Sequence, residues 1–133
     1  MKILIMGLPG SGKTTLAHAL LNLLDCVWFN ADAVRKKHDD WDFSPEGRLR
    51  QADRMRKLAD DSTGHVICDF VAPTKEIRDM FDADYTVWVD TIKLGRFEDT
   101  NKLFDPPEHY DIRVTEQDAN RWAAIIAKDI NET

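Results

Sequence analysis

Eight residues near the start, Gly7-Leu8-Pro9-Gly10-Ser11-Gly12-Lys13-Thr14, constrain this chain more than any other stretch of it. They match the pattern G-x-x-x-x-G-K-[ST] at every fixed position. The preceding run Lys2 to Met6 (KILIM) reads as a short buried parallel strand. After the motif, Lys13 to Leu24 carries Leu16, Ala19, Leu20, Leu23 and Leu24 at helical spacing. Strand, glycine-rich turn and helix together let backbone N–H groups surround phosphate oxygens, with the helix N-terminus adding positive partial charge. The implied ligand is a nucleoside triphosphate held by Gly7 through Thr15. Lys13 then reaches the β- and γ-phosphates, and the Thr14 hydroxyl ligates Mg²⁺.

The remaining chain alternates in the same way. Cys26 to Phe29 reads as a second buried strand, His65 to Phe70 as a third, Tyr85 to Val89 as a fourth, and Tyr110 to Val114 as a weaker fifth. Ser44-Pro45-Glu46 is a helix start, with an N-cap serine and proline at the first helical position. That helix is expected to reach about Asp60 and to bury Leu49, Ala52, Met55 and Leu58–Ala59. Thr115 is expected to cap the last helix, with Asp118 three residues on as in a capping box. The fold class is α/β: a nucleoside-kinase-like P-loop domain with a five-stranded parallel sheet and helices on both faces. With 133 residues and no linker or repeat, residues 1–133 read as one domain. Residues 91–109 fit no element and read as a lid-like loop.

Composition excludes other classes. The charge of −6 is a poor electrostatic footprint for nucleic acid, which would need a local basic groove. No apolar run has the ~20 residues a membrane helix needs. Cys26 and Cys68 lack disulfide or metal spacing, which points to a cytoplasmic, reducing location and to inert thiols. The four histidines, His18, His38, His65 and His109, show no ligand spacing. Trp28, Trp88 and Trp122 read as core residues.

A P-loop needs an acidic partner for its metal at a neighbouring strand end. Asp69, closing Val66-Ile67-Cys68, is the candidate Mg²⁺ carboxylate, although a turn-starting aspartate would look the same. Asp90, after Val87-Trp88-Val89, competes for the role. The second strand runs on into Asn30-Ala31-Asp32-Ala33-Val34-Arg35. One helical turn puts Asp32 and Arg35 on the same side. There Asp32 can take a proton from an attacking hydroxyl, and Arg35 can hold an anionic acceptor. An N-cap aspartate beside a solvated arginine fits the same residues. Arg48, Arg50, Arg54, Arg56 and Lys57 form a basic stretch whose simplest reading is a solvated face paired with Glu46, Asp53 and Asp60. Arg96 and Lys102 are candidate lid cations or, equally, exposed loop charges. Phe104 and Tyr110 read as loop anchors.

The P-loop, the D-x-x-R after strand two and Phe43-Ser44 followed by Arg48 together resemble adenylylsulfate (APS) kinases, as does Val89-Asp90-Thr91 after strand four. That family reads roughly D-G-D-N-x-R and then G-F-S-x-x-D-R-x-x-N-x-R-R. The resemblance implies ATP-dependent phosphorylation of the 3′-hydroxyl of adenylylsulfate, with Mg²⁺; the chain itself is expected to be a monomer or homodimer. It implies that Asp32 positions that hydroxyl, that Arg35, Arg48 and Gln51 hold the phosphosulfate, and that Phe43 packs near the adenine. The chain departs from the pattern at Asn30, and Asp69-Phe70-Val71-Ala72-Pro73-Thr74 stands where the family has a serine-proline segment. The D-x-x-R also resembles the 5′-polynucleotide kinases, so polynucleotide or nucleoside phosphorylation is the alternative. A non-catalytic ATP-binding module is a third reading. A GTPase is disfavoured because Asn101-Lys102-Leu103-Phe104 lacks the aspartate of N-K-x-D, and an AAA-type motor ordinarily needs more chain.

Overall fold

The computed structural model describes residues 1–95 and 97–132. Five strands, β1 (Lys2–Met6), β2 (Cys26–Asn30), β3 (His65–Asp69), β4 (Tyr85–Val89) and β5 (Ile112–Val114), form one sheet in the order β2-β3-β1-β4-β5. Every neighbouring pair is parallel. The helices are α1 (Lys13–Leu21), α2 (Ala31–His38), α3 (Pro45–Asp60), α4 (Lys75–Phe81), α5 (Glu98–Leu103) and α6 (Ala119–Asn131). This is the α/β P-loop architecture expected from the strand–helix alternation.

Because successive strand residues point to opposite faces, β1 feeds two cores. Ile3 and Ile5 pack with Leu16 and Leu20 of α1 and Ile126 and Ile130 of α6. Leu4 and Met6 pack with Val34 of α2, Met55 of α3 and Phe81 of α4. Helices therefore cover both faces, and the C-terminal ends of the strands open along one edge, where ligands bind in sheets of this kind.

Local departures from expectation have physical reasons. β2 is not buried but half-buried, with Val27 44% exposed, because the topology puts it at the sheet edge. Helix α1 stops at Leu21, since Asn22 takes the C-cap and a turn carries Leu23 and Leu24. On α3 the buried positions include Gly47 and Gln51, while Leu49 and Leu58 are only partly covered. Asp118, not Thr115, caps α6 by accepting from the Arg121 N–H. β5 begins at Ile112 rather than Tyr110. The stretch expected to be irregular contains α5, whose sequence EDTNKL buries only Thr100 and so carries no apolar periodicity.

Candidate active site

The turn between β1 and α1 is built on glycine geometry. A Cβ on Gly7 (φ +152°) would lie 2.4 Å from the Val89 carbonyl oxygen, so only glycine lets the loop pass the end of β4. Gly12, at φ +104°, is the N-cap of α1, and no side chain caps this helix. The first N–H groups of α1 therefore face the loop without an internal acceptor, the arrangement that binds phosphate. The Ser11 hydroxyl is buried without a hydrogen-bond partner. The Lys13 ammonium donates to the Leu8 carbonyl at 2.9 Å, which folds the lysine over the loop. Thr14 and Thr15 are exposed at the start of α1.

Asp69 ends β3 and is 2% exposed. Its carboxylate accepts from the Thr14 hydroxyl (3.0 Å), the Trp28 indole N–H (3.1 Å) and the Asn30 amide (3.1 and 3.2 Å). Burial pushes its carboxyl above the usual range, and these donors oppose that push. Asn30 is the register partner of Asp69 across β2 and β3. Its amide also reaches Thr14 Oγ1 at 3.3 Å, while its Oδ1 caps α2 by accepting from the Ala33 N–H at 3.0 Å. Asn30 thus joins the phosphate loop, the buried carboxylate and the helix that carries Asp32. The cap is Asn30, so Asp32 is left exposed on the first turn of α2.

Thr14 and Asp69 offer hard oxygens, the donor type that suits Mg²⁺. Among the described residues no group of three or more His, Cys, Asp or Glu could hold a metal. A cation here would take its other ligands from phosphates and water, as Mg²⁺ does. Asp90, the competing carboxylate, is instead taken by Arg113, whose Nε and Nη2 reach Asp90 Oδ2 at 2.9 and 2.5 Å.

Arg35 is 5% exposed, and its Nη1 donates to the Asp40 and Asp42 carbonyls. The Arg35 guanidinium lies 4.3 Å from the centre of the exposed Phe43 ring, and that of Arg48 lies 5.5 Å from it. Arg48 is held by the Phe43 carbonyl and the Thr100 hydroxyl. Burial lowers the Arg35 pKa; Asp40 opposes this, and the charges of Arg48 and Arg54 add to it. Gln51 is buried, its amide donating to the Ala31 carbonyl and its Oε1 accepting from Arg54, so it ties α3 to α2. On the outer face of α3, Arg50 and Arg54 pair with Asp40, and Arg56 and Lys57 with Asp53. Lys102 points to solvent and pairs with Glu98. Arg96 lies outside the described residues. Phe104 packs on the second core, and Tyr110 leans on Trp88. Burial pushes the Cys68 thiol up to about 12, so it stays protonated.

Sequence reasoning missed several contributors. A cavity of about 360 Å³ opens beside the phosphate loop between Thr15, Thr91, Gln117, Asp118 and Trp122. Trp122 lines it, and its buried indole N–H has no hydrogen-bond partner. Asn101 was weighed only as part of an incomplete guanine motif, yet its side chain both accepts from the Gly95 N–H (2.7 Å) and donates to the Gly95 carbonyl (2.9 Å). None of these has a sequence signature, because each depends on which loops meet.

Comparisons with known proteins bear out the resemblance seen in the motifs. A family model described as an AAA domain matches residues 3–69, half of the chain. A curated relative, the probable adenylyl-sulfate kinase of Aeropyrum pernix, is 37% identical over 89 residues, which are 57% of this chain and 46% of the relative. The chain thus spans less than half the length of that relative. Among solved structures, the APS kinase CysC of Mycobacterium tuberculosis in complex with AMPPNP and APS superposes with a TM-score of 0.77 at 21% identity, covering 99% of this chain and 98% of that one. The shikimate kinase of Acinetobacter baumannii in complex with shikimate gives 0.71 at 18% identity, covering 98% and 92%.

Proposed function

The chain belongs to the AAA domain family, and on that footing we propose that it is an ATP-dependent kinase of a small anionic acceptor, adenylylsulfate in first place. The observation that carries the acceptor class is the pair of guanidinium groups, Arg35 and Arg48, on the exposed Phe43 ring. Two like charges held this close are relieved by an anion, and the ring offers a face for a purine. The likeness to the Aeropyrum pernix relative supports adenylylsulfate as that anion.

ATP phosphates rest on the Gly7–Thr15 turn, and its adenine occupies the cavity lined by Gln117 and Trp122. Mg²⁺, when held at Thr14 with Asp69 behind it, supplies charge neutralisation on the β- and γ-phosphates. Lys13 adds a second positive group. The acceptor 3′-hydroxyl oxygen bonds to the γ-phosphorus as the bond to the bridging oxygen of ADP breaks, and its proton passes to Asp32. Such chemistry asks the protein mainly for positioning and electrostatics. Arg96 and Lys102 are the lid cations of this reading. Lys102 can leave Glu98 at little cost, since an exposed pair is worth roughly 0–1 kcal/mol.

A 5′-hydroxyl polynucleotide would call on the basic face of α3, and that face is already neutralised by Asp40, Asp53 and Asp60. The test is ADP release from Mg-ATP with adenylylsulfate, nucleosides, nucleotides and a 5′-hydroxyl oligonucleotide. Stimulation by adenylylsulfate alone is expected. Stimulation by the oligonucleotide alone overturns the acceptor, and ATP binding without any stimulation overturns the kinase.

A further inference from the structure

Both oxygens of the Asp69 carboxylate are engaged by protein donors, the Asn30 amide lying within reach of both. Oδ1 accepts from Trp28 Nε1 (3.1 Å) and Asn30 Nδ2 (3.1 Å), and Oδ2 from Thr14 Oγ1 (3.0 Å) and Asn30 Nδ2 (3.2 Å). A cation bound directly to Asp69 would compete with these donors. One bound to Thr14 can use the remaining lone pair of a hydroxyl whose proton goes to Asp69 and whose other lone pair faces the Asn30 amide at 3.3 Å.

Trp28 reads in the sequence as a core residue, and its ring does pack on the first core and meets His18 edge-on, with 6.2 Å between ring centres. Its polar end is turned to a different use. We propose that Trp28 is a positioning residue of the cation site: its indole N–H anchors Asp69 so that Asp69 orients the Thr14 hydroxyl toward the metal of a bound Mg-nucleotide. This rests on the nucleotide-binding part of the function proposed above and is independent of the acceptor. The geometry suits the role, since a rigid bicyclic ring wedged between core and site cannot drift as a lysine or glutamine would. Groups that orient metal ligands are commonly worth 10–100-fold in metal affinity.

The test measures binding of AMPPNP by titration calorimetry with and without Mg²⁺, no acceptor being present. Trp28→Phe keeps the aromatic packing and removes the N–H. Its expected result is unchanged affinity for the metal-free nucleotide and a loss of about tenfold in the Mg²⁺-dependent gain. Trp88→Phe, whose ring packs on Tyr110 and Arg113 rather than on Asp69, is expected to keep the wild-type gain. A Trp28→Phe protein with the wild-type Mg²⁺ dependence overturns the proposal. If wild type binds no nucleotide even with Mg²⁺, the functional reading itself fails. As a readout that needs no variant, the indole N–H resonance of Trp28 in wild type is expected to shift when Mg²⁺ is added to the nucleotide complex and not with nucleotide alone. A resonance that stays fixed on adding Mg²⁺ overturns the proposal too.

Discussion

The Thr91 hydroxyl donates to the Ser11 carbonyl at 2.6 Å, which fastens the chain leaving β4 to the turn of the phosphate loop. A few residues later Gly95 comes so close to the loop that a Cβ on it would lie 3.0 Å from the Pro9 carbonyl oxygen. Asn101 closes a two-bond ring around Gly95. Next to it, Thr100 receives Arg48 from α3. The loop that would hold phosphate is thus buttressed by a strap whose far end touches Arg48, the arginine proposed above to face the acceptor.

Opening that strap should be felt in donor binding. Asn101→Ala removes two hydrogen bonds worth about 1 kcal/mol each. The expected outcome is a KM for ATP raised several-fold, with a smaller change in the thermal midpoint. A lower midpoint with unaltered KM would assign the ring to stability alone. Steady-state kinetics beside thermal unfolding separate the two.

Gly7→Ala tests the close approach at the other side of the loop. The added methyl meets the backbone oxygen of Val89 at 2.4 Å, and backbone cannot step aside as a side-chain tip can. Overpacking of this kind costs on the order of 1–3 kcal/mol. Denaturant unfolding should show that loss, and nucleotide binding should weaken with it. A fully stable Gly7→Ala protein would show that the β1–α1 turn can shift away from β4.

Asp32→Asn keeps shape and hydrogen bonding but cannot take a proton. Loss of a positioned base lowers kcat by a factor on the order of 10²–10⁴, while the affinity for AMPPNP should stay at the wild-type value. Equal losses in kcat and nucleotide affinity would remove Asp32 from the chemical step.

Acid should destabilise the fold, and α3 says where. Hydrogen bonds from Arg50 and then Arg54 hold the Asp40 carboxyl well below the usual range. Asp53 is lowered by Arg56 and Lys57, and Asp60 first by Lys2. A carboxyl whose folded pKa is depressed stabilises above its unfolded value, about 3.9, and that stability is lost as pH falls through the folded value. Asp69, raised by burial, has the opposite sign and favours folding at low pH. Asp42 is lowered as well, by hydrogen bonds from Ser44 and Arg50, and with four lowered carboxyls against one raised the thermal midpoint should fall below about pH 4. Asp40→Asn should flatten that acid limb, and an unchanged limb would show that Asp40 does not contribute to it.

Signals carried by neighbouring residues could be read without a structure. The phosphate loop, the Ser44-Pro45 helix start and Asp69 at its strand end all depend on a handful of consecutive positions. Asn30 departs from the family pattern, and its pairing with Asp69, 39 residues away, is not visible in the sequence. That pairing exists only once β2 is known to lie beside β3. Trp28 misled for the opposite reason: its ring does what a core tryptophan does, and a single nitrogen atom does something else. Thr115 and Asp118 could both cap a helix, and only the backbone turn that bonds Asp118 N–H to the Glu116 carbonyl decides between them. The apolar residues of the strap around Asn101, Leu94, Phe97 and Leu103, are exposed and follow no helix or strand period, so hydrophobic periodicity is silent about it.

β2 is one of the sheet's two edges, hydrogen-bonded to a neighbour on one side only. It nevertheless carries Trp28 and Asn30, and it feeds directly into the helix bearing Asp32. Half of the site therefore rides on an edge strand, and the free energy of its local opening sets the fraction of molecules in which the buried carboxylate is assembled. A ligand that engages Thr14 acts on that fraction as a missing neighbour would, drawing the strand home by mass action. Amide exchange along Cys26–Asn30 is where nucleotide occupancy would be written most plainly.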